Sequence, residues 1–502
     1  MDMELQRVRL GGFRPVYDGA LRQEETLESI VPDALPDIDR IVTAQGSVLL
    51  RQKEVVDGSV RVMGSVRLNV LYLPEGGGGL CSIALNIPFL CSGDNPAIRS
   101  GGQAQVTASV ISADARALNP RKVLARAEMS IGLCVFEEAD EEITTGVERG
   151  ADSLETLVER YQDYGTADVT EKYFTFHDTV RLPASKPVPQ ELLAVRAGLA
   201  CGESKIIGKK LVVKGEAVLD LVYRSEEGVS AAAVELPFSQ IAETKAVSED
   251  GQAECSAVLT GLDCTLTEDG ALEVNVEALL EAAVRQEREV ALLSDLYSTC
   301  QALDTQRQQV TLTKLGEQGS RRQITRQFCP TDTAAQRVID CGLTMGEAAA
   351  APAGEGGCMA TARAYVDILY AGEDGSLHAA AFAIPASCAL PAPRGCRCRC
   401  APVGEVSAMP VTGGLEVRFE TEFSYLSVEP LPAGCVCAVT PGQQEGYEGR
   451  RPSVILRMPG QGERLWDVAK CCGSTVADIK AANDLTGEDV QGTLLLVPSR
   501  RP

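Results

Sequence analysis

Three stretches of the chain alternate apolar and polar residues with the same spacing. Val66, Leu68, Val70 and Tyr72 share one side of the first. Ala217, Leu219, Leu221 and Tyr223 do so in the second, and Ala364, Val366, Ile368 and Tyr370 in the third. A period of two, rich in β-branched and aromatic residues, predicts a half-buried strand. A glycine-containing turn follows each tyrosine (Gly76 to Gly79; Gly228; Gly372 and Gly375). A second alternating run then ends at Pro88, Pro237 and Pro385. Two strands joined through glycine, with proline where the ladder stops, predict a hairpin. A third alternating run returns over Val123 to Val135, Leu272 to Ala278 and Leu415 to Tyr425. The tyrosines fall about 150 residues apart, too long a period for a solenoid and right for a whole domain copied three times.

The flanks complete the organisation. Residues 1–24 read as a lead-in broken by Gly11-Gly12 and Pro15, and each copy is expected to open with a short helix. In the first copy that helix is Pro36-Asp37-Ile38-Asp39, with Asp37 in or before the first turn. The copies span 25–145, 165–304 and 318–440. The acidic run Glu137 to Glu142 reads as a solvated loop, and 441–452 is a linker by composition. Residues 453–499 differ: a short strand, two segments of helical spacing and a closing strand give β-α-α-β. The expected fold is mainly β, with three sandwich-like domains carrying short helices and a small C-terminal module.

Bulk properties narrow the function. A 45% hydrophobic content over 502 residues supports packed cores. A net charge of −23 argues against nucleic acid and against anionic lipid surfaces. No apolar run is long enough for a transmembrane segment. Met1-Asp-Met-Glu-Leu-Gln-Arg7 lacks the apolar core of a signal peptide, so the expected location is cytoplasmic. The 18 cysteines include no Cys-x-x-Cys. In Cys396-Arg-Cys-Arg-Cys400 the sulfurs share one side of a strand at ~7 Å intervals, which suits small buried apolar groups better than one tetrahedral metal. Only two histidines exist, His177 and His378, at unrelated places in the copies. No catalytic residue, metal ligand or cofactor site is expected, and the chain reads as a non-enzyme. A polar position recurs at Asn69, Asp220 and Asp367, opposite the tyrosine side, where a solvent-facing or register role is expected.

Two resemblances add to this. Gly462-Glu-Arg-Leu-Trp-Asp-Val-Ala469, Ala482-Asn-Asp-Leu485 and Gly492 to Pro498 are similar to a LysM domain along its whole length. Arg464 and Gln461 stand where that family usually has threonine and proline. The resemblance implies a groove for N-acetylglucosamine polymers, with Gly462, Glu463, Arg464 and Leu465 on one side and Asn483, Asp484, Leu485 and Thr486 on the other. The copies resemble the SPOCS domain through Pro36-Asp-Ile-Asp-Arg-Ile41, Gly64 to Tyr72, and the Pro88-Phe89 and Pro237-Phe238 strand ends. The third copy departs with Ala362 and Pro385-Ala386. Repeated SPOCS domains followed by a LysM domain resemble the layout of clostridial spore-envelope assembly proteins. That resemblance implies an adaptor made in the mother cell and placed at the forespore surface. Its partner would be the coat-basement ATPase, the stage IV sporulation protein A. Peptidoglycan binding at cortex or wall is the alternative, and a homo-oligomer stays open.

Overall fold

The computed structural model describes residues 3–149, 153–246, 249–353, 357–392, 396–442, 453–487, 490 and 492–499. One order of strands occurs three times. In the first copy it runs β1 (Glu4–Ile30), β2 (Ile38–Val56), β3 (Ser59–Pro74), β4 (Cys81–Asp94), β5 (Gln103–Asn119) and β6 (Lys122–Arg149). The second copy has β7 (Leu154–Val180), β8 (Glu191–Ile207), β9 (Lys210–Ser225), β10 (Gly228–Glu243), β11 (Gln252–Leu266) and β12 (Leu272–Ser298). The third has β13 (Leu303–Pro330), β14 (Ala335–Met345), β15 (Ala349–Ala353), β16 (Gly357–Gly372), β17 (Leu377–Leu390), β18 (Arg397–Val411) and β19 (Gly414–Pro441). There the first edge strand is broken in two.

Each copy is a sandwich. Its middle strands form one small antiparallel sheet (β2-β3-β4; β8-β9-β10; β14 and β15 with β16-β17). Its outer strands form the other (β1-β6-β5; β7-β12-β11; β13-β19-β18). The alternation sends Val66, Leu68, Val70 and Tyr72 into the first core against Val123, Ala125, Ala127 and Met129 of β6. The other two copies repeat this around Tyr223 and Tyr370.

The long outer strands depart from the sequence reading. Residues 1–24 are not a separate lead-in, because Glu4–Ile30 is one strand paired along its length with β6. Pro15 is accommodated at a bulge between Pro15 and Tyr17, where a missing donor costs little. The acidic run Glu137 to Glu142 lies inside β6, opposite Arg14 to Arg9. The three long pairs extend beyond their sandwiches and pack together through Leu10, Ile143, Tyr161, Val290, Leu292, Val310, Leu312, Leu431, Ala433 and Cys435. β1 and β7 touch at Phe13 and Thr166, and Gly12 permits it: a Cβ there would lie 3.0 Å from the Thr166 carbonyl.

The expected opening helices are absent. Among the described residues the two helices, α1 (Leu465–Cys472) and α2 (Val476–Ala482), both lie in the C-terminal module with β20 (Val454–Arg457) and β21 (Leu495–Pro498). From Ile38 and from Glu191 onward the chain is in β2 and β8, paired with β3 and β9, and only the short proline-containing stretches before them are left outside the ladders. A turn forms instead, closed by Leu35 N–H on Pro32 O at 2.9 Å. Arg121 fixes it by donating to the carbonyls of Val31 and Leu35 and to Asp33 and Asp37.

Candidate functional site

The C-terminal module builds its core from Leu465, Val468, Ala469, Ile479, Val490, Leu495 and Val497. The Asp467 carboxylate accepts from Arg464 N–H at 3.1 Å at the start of α1. Thr475 Oγ1 accepts from Asp478 N–H at 3.0 Å at the start of α2. Gly473 ends α1 at φ 66°, a left-handed position that glycine takes at least cost.

The module is seated on the far end of β12 and β7. Trp466 lies edge-on to Tyr297 at 4.9 Å and donates its indole N–H to Asp295 at 2.8 Å. Lys470 Nζ reaches the same carboxylate at 2.7 Å, as does Arg307 at 2.8 Å. Tyr297 donates to the Ser474 carbonyl at 2.9 Å, and Arg464 pairs with Glu159 at 3.1 Å. Burial pushes Asp295 up, but its bonds from Lys470, Trp466 and Arg307 outweigh this and hold it below the usual carboxylate range. Trp466 therefore bridges the module and the second copy.

The groove residues expected from sequence have varied fates. Leu465 is 1% exposed and belongs to the core. Glu463 accepts from Gly460 N–H and pairs with Arg457 at 2.6 Å. Asn483 donates to the carbonyls of Ile479 and Leu496 and accepts from Leu496 N–H, tying α2 to β21. Leu485 is half-buried against the core, while Arg464 leans on Glu159. Gly462 (φ 77°), Asp484 (φ 52°) and Thr486 face solvent.

A surface that sequence reasoning did not single out is the outer side of the β20–β21 ribbon. Val454, Leu456, Met458, Leu494 and Leu496 are exposed there, Leu456 at 66%, with Leu456 opposite Leu496. The signal was present in the sequence: Leu494 to Val497 is apolar on both sides of a strand, where one covered face needs only one.

Where the three sandwiches meet there is a chamber of about 1960 Å³ lined by all three copies. Two members of the recurring polar position face it. Asp220 and Asp367 line the chamber, and Asn69 Oδ1 accepts from Val195 N–H of the second copy at 3.4 Å. The solvent-facing part of the expectation is thus cut back: all three residues are half-buried, on a side that looks toward the neighbouring copies and the space between them. Arg196 serves the carboxylates, at 3.0 Å from Asp340 and 3.5 Å from Asp220. Its guanidinium lies over Gly342, where a Cβ would fall 2.0 Å from Nη1. Burial pushes both Asp220 and Asp367 up, with Arg196 pulling them back in part. Next to the chamber the residue before each tyrosine, Leu71, Val222 and Leu369, joins a shared apolar contact.

The two histidines lie at unrelated places in the fold. His378 Nε2 meets both Ser376 Oγ at 2.7 Å and Asp374 Oδ2 at 3.0 Å, on a hairpin turn. A catalytic triad needs serine and carboxylate on opposite ring nitrogens. His177 lies on β7 opposite Asn275. Cys396 is buried in the third core, with Cys398 and Cys400 packed against it, while Arg397 and Arg399 face the other way. Burial pushes Cys398 up to about 11 and Cys400 up to about 12, which keeps these thiols protonated. Among the described residues no group of three His, Cys, Asp or Glu is arranged to hold a metal ion. No helix there is long and apolar enough to cross a membrane.

Residues 37–118 match the family model described as "SipL, SPOCS domain". The match covers β2 to β5 of the first copy and suggests a sporulation-related role. No curated protein and no solved structure matches the chain.

Proposed function

We propose that the chain is a non-enzymatic adaptor of spore-envelope assembly, which tethers coat-basement proteins at the forespore surface. The observation that carries this reading is the orientation of the C-terminal module. Its Trp466 side is taken up by Asp295 and Tyr297 of the second copy, and its apolar ribbon points outward. An exposed apolar ribbon supports a protein partner over a sugar, because sugar hydroxyls call for convergent polar groups. The LysM-like groove offers few: Glu463 and Asn483 are engaged within the module. The SPOCS match supplies the sporulation setting.

The full chain, immobilised, is offered the purified coat-basement ATPase and, separately, soluble peptidoglycan fragments. Retention of the ATPase with no peptidoglycan bound is expected. Retention of peptidoglycan alone would replace the adaptor with a wall-binding protein.

A further inference from the structure

One arginine of the chamber makes no salt bridge of its own among the described residues. Arg285 of β12 is 7% exposed and lines the chamber, and its Nε meets no hydrogen-bond partner. The carboxylate beside it, Glu254, is already used by Arg397 at 3.2 Å and Arg399 at 2.8 Å. Arg397 also takes Asp18, at 3.0 Å. Three guanidinium groups thus share two carboxylates. Burial pushes Arg285 down, and Glu254 offsets this only in part.

A second buried group in the same corner lacks hydrogen-bond partners among the described residues. Gln105 of β5 is 4% exposed, lines the chamber, and leaves both its amide nitrogen and its oxygen unpaired. Gln105 stands opposite Cys134 on β6, which stands opposite Asp18 on β1. Cys134 is in turn within the electrostatic reach of Arg285 and Arg397. All three copies contribute: Gln105 and Asp18 from the first, Arg285 and Glu254 from the second, Arg397 and Arg399 from the third.

An unpaired buried charge is strongly unfavourable, and the donors here suit one kind of group. A guanidinium fork and an amide N–H match the oxygens of a phosphate or carboxylate. We propose that this corner of the chamber is a binding site for a small oxyanion, held by Arg285 and Gln105 with Arg397 as the flanking cation. The anion completes the charge balance between the three copies.

The test is thermal unfolding of the full chain titrated with sodium phosphate and, separately, with sodium acetate, against sodium chloride at matched ionic strength. In the wild type one of the two anions raises Tm along a saturating curve, as ligand linkage requires, and which one acts separates phosphate from carboxylate. Arg285→Met abolishes the saturating part, and in chloride alone it unfolds no lower than the wild type because an unpaired charge is gone. Gln105→Leu keeps the saturating form with an affinity weakened about tenfold. The proposal is overturned if neither anion exceeds chloride, or if both variants respond as strongly as the wild type.

Discussion

In the first two copies a phenylalanine ring lies over a glycine on the adjacent strand, Phe89 over Gly64 and Phe238 over Gly215. A Cβ on Gly215 would come 2.4 Å from the Phe238 ring and 2.4 Å from the Ala200 carbonyl. The third copy has Ala362 opposite Ala386, and the strand beside it is broken between β14 and β15, so both obstacles change together. Gly215→Ala is expected to cost about 1–3 kcal/mol by overpacking. Chemical denaturation in a double-mutant cycle should show a smaller cost when Phe238→Ala is already present, by more than about 0.5 kcal/mol. Equal costs in both backgrounds would mean the ring is not the obstacle. This pair was legible as the glycine that opens the motif and the phenylalanine after the proline, but the proline does not end its strand. Cys81–Asp94 and Gly228–Glu243 run on through Pro88 and Pro237, which an edge strand tolerates because the missing donor faces away from the ladder. The destination of Asn69, Asp220 and Asp367 was not. A period of two tells which residues share a side, and says nothing about what covers that side.

At the scale of elements, the central strands were legible because a buried face leaves a clean alternation, as in Val66 to Tyr72. The outer halves of the long strands were not. They bury only a narrow seam, such as Leu10 and Ile143, and elsewhere carry charged residues like Arg7, Arg9, Asp140 and Glu142, which pair across the strands. Such a ribbon has the composition of a loop. The seat of the C-terminal module was hidden for a related reason: Asp295 and Trp466 are 171 residues apart. Asp295→Ala removes the acceptor shared by Trp466, Lys470 and Arg307, and should weaken the seating by about 2–5 kcal/mol. Trp466 is the sole tryptophan and is 8% exposed, so a red shift of its emission in the folded variant reports release; unchanged emission would contradict the seating. Acid should act at the same place. Since Asp295 is held below its unfolded value, its contribution is complete above the ordinary carboxylate range, about 3.9. It is lost as pH falls through the lower folded value. Wild-type emission should therefore stay constant from neutral pH to about 4 and shift only below that.

At the scale of the molecule, ion pairs link the copies in a ring. Lys53 of the first pairs with Glu281 of the second, Arg196 of the second with Asp340 of the third, and Arg397 of the third with Asp18 of the first. Each joins residues with no local signature, which is why domain copies were visible in the sequence and their assembly was not. Arg196→Met leaves Asp340, Asp220 and Asp367 facing one another and should cost about 3–5 kcal/mol at neutral pH. Asp220 and Asp367 have raised pKa values in the folded chain, so they take up protons before the unfolded chain does. The penalty should accordingly shrink as pH falls from neutral toward the ordinary carboxylate range, read by thermal unfolding at each pH. A penalty independent of pH would place the role of Arg196 in packing instead.

The adaptor reading places the partner on the outward apolar ribbon rather than in the LysM-like groove, and one binding comparison separates the two surfaces. Affinity of the full chain for the purified coat-basement ATPase is measured for the wild type, for Leu456→Glu with Leu496→Glu, and for Asp484→Lys with Thr486→Lys. Trp466 emission in each variant confirms that the module remains seated. The ribbon variant should lose at least tenfold in affinity, since a leucine that a partner covers fully is worth about 1.5–3 kcal/mol, and the groove variant should bind like the wild type. Full binding by the ribbon variant, with loss confined to the groove variant, would contradict the assignment.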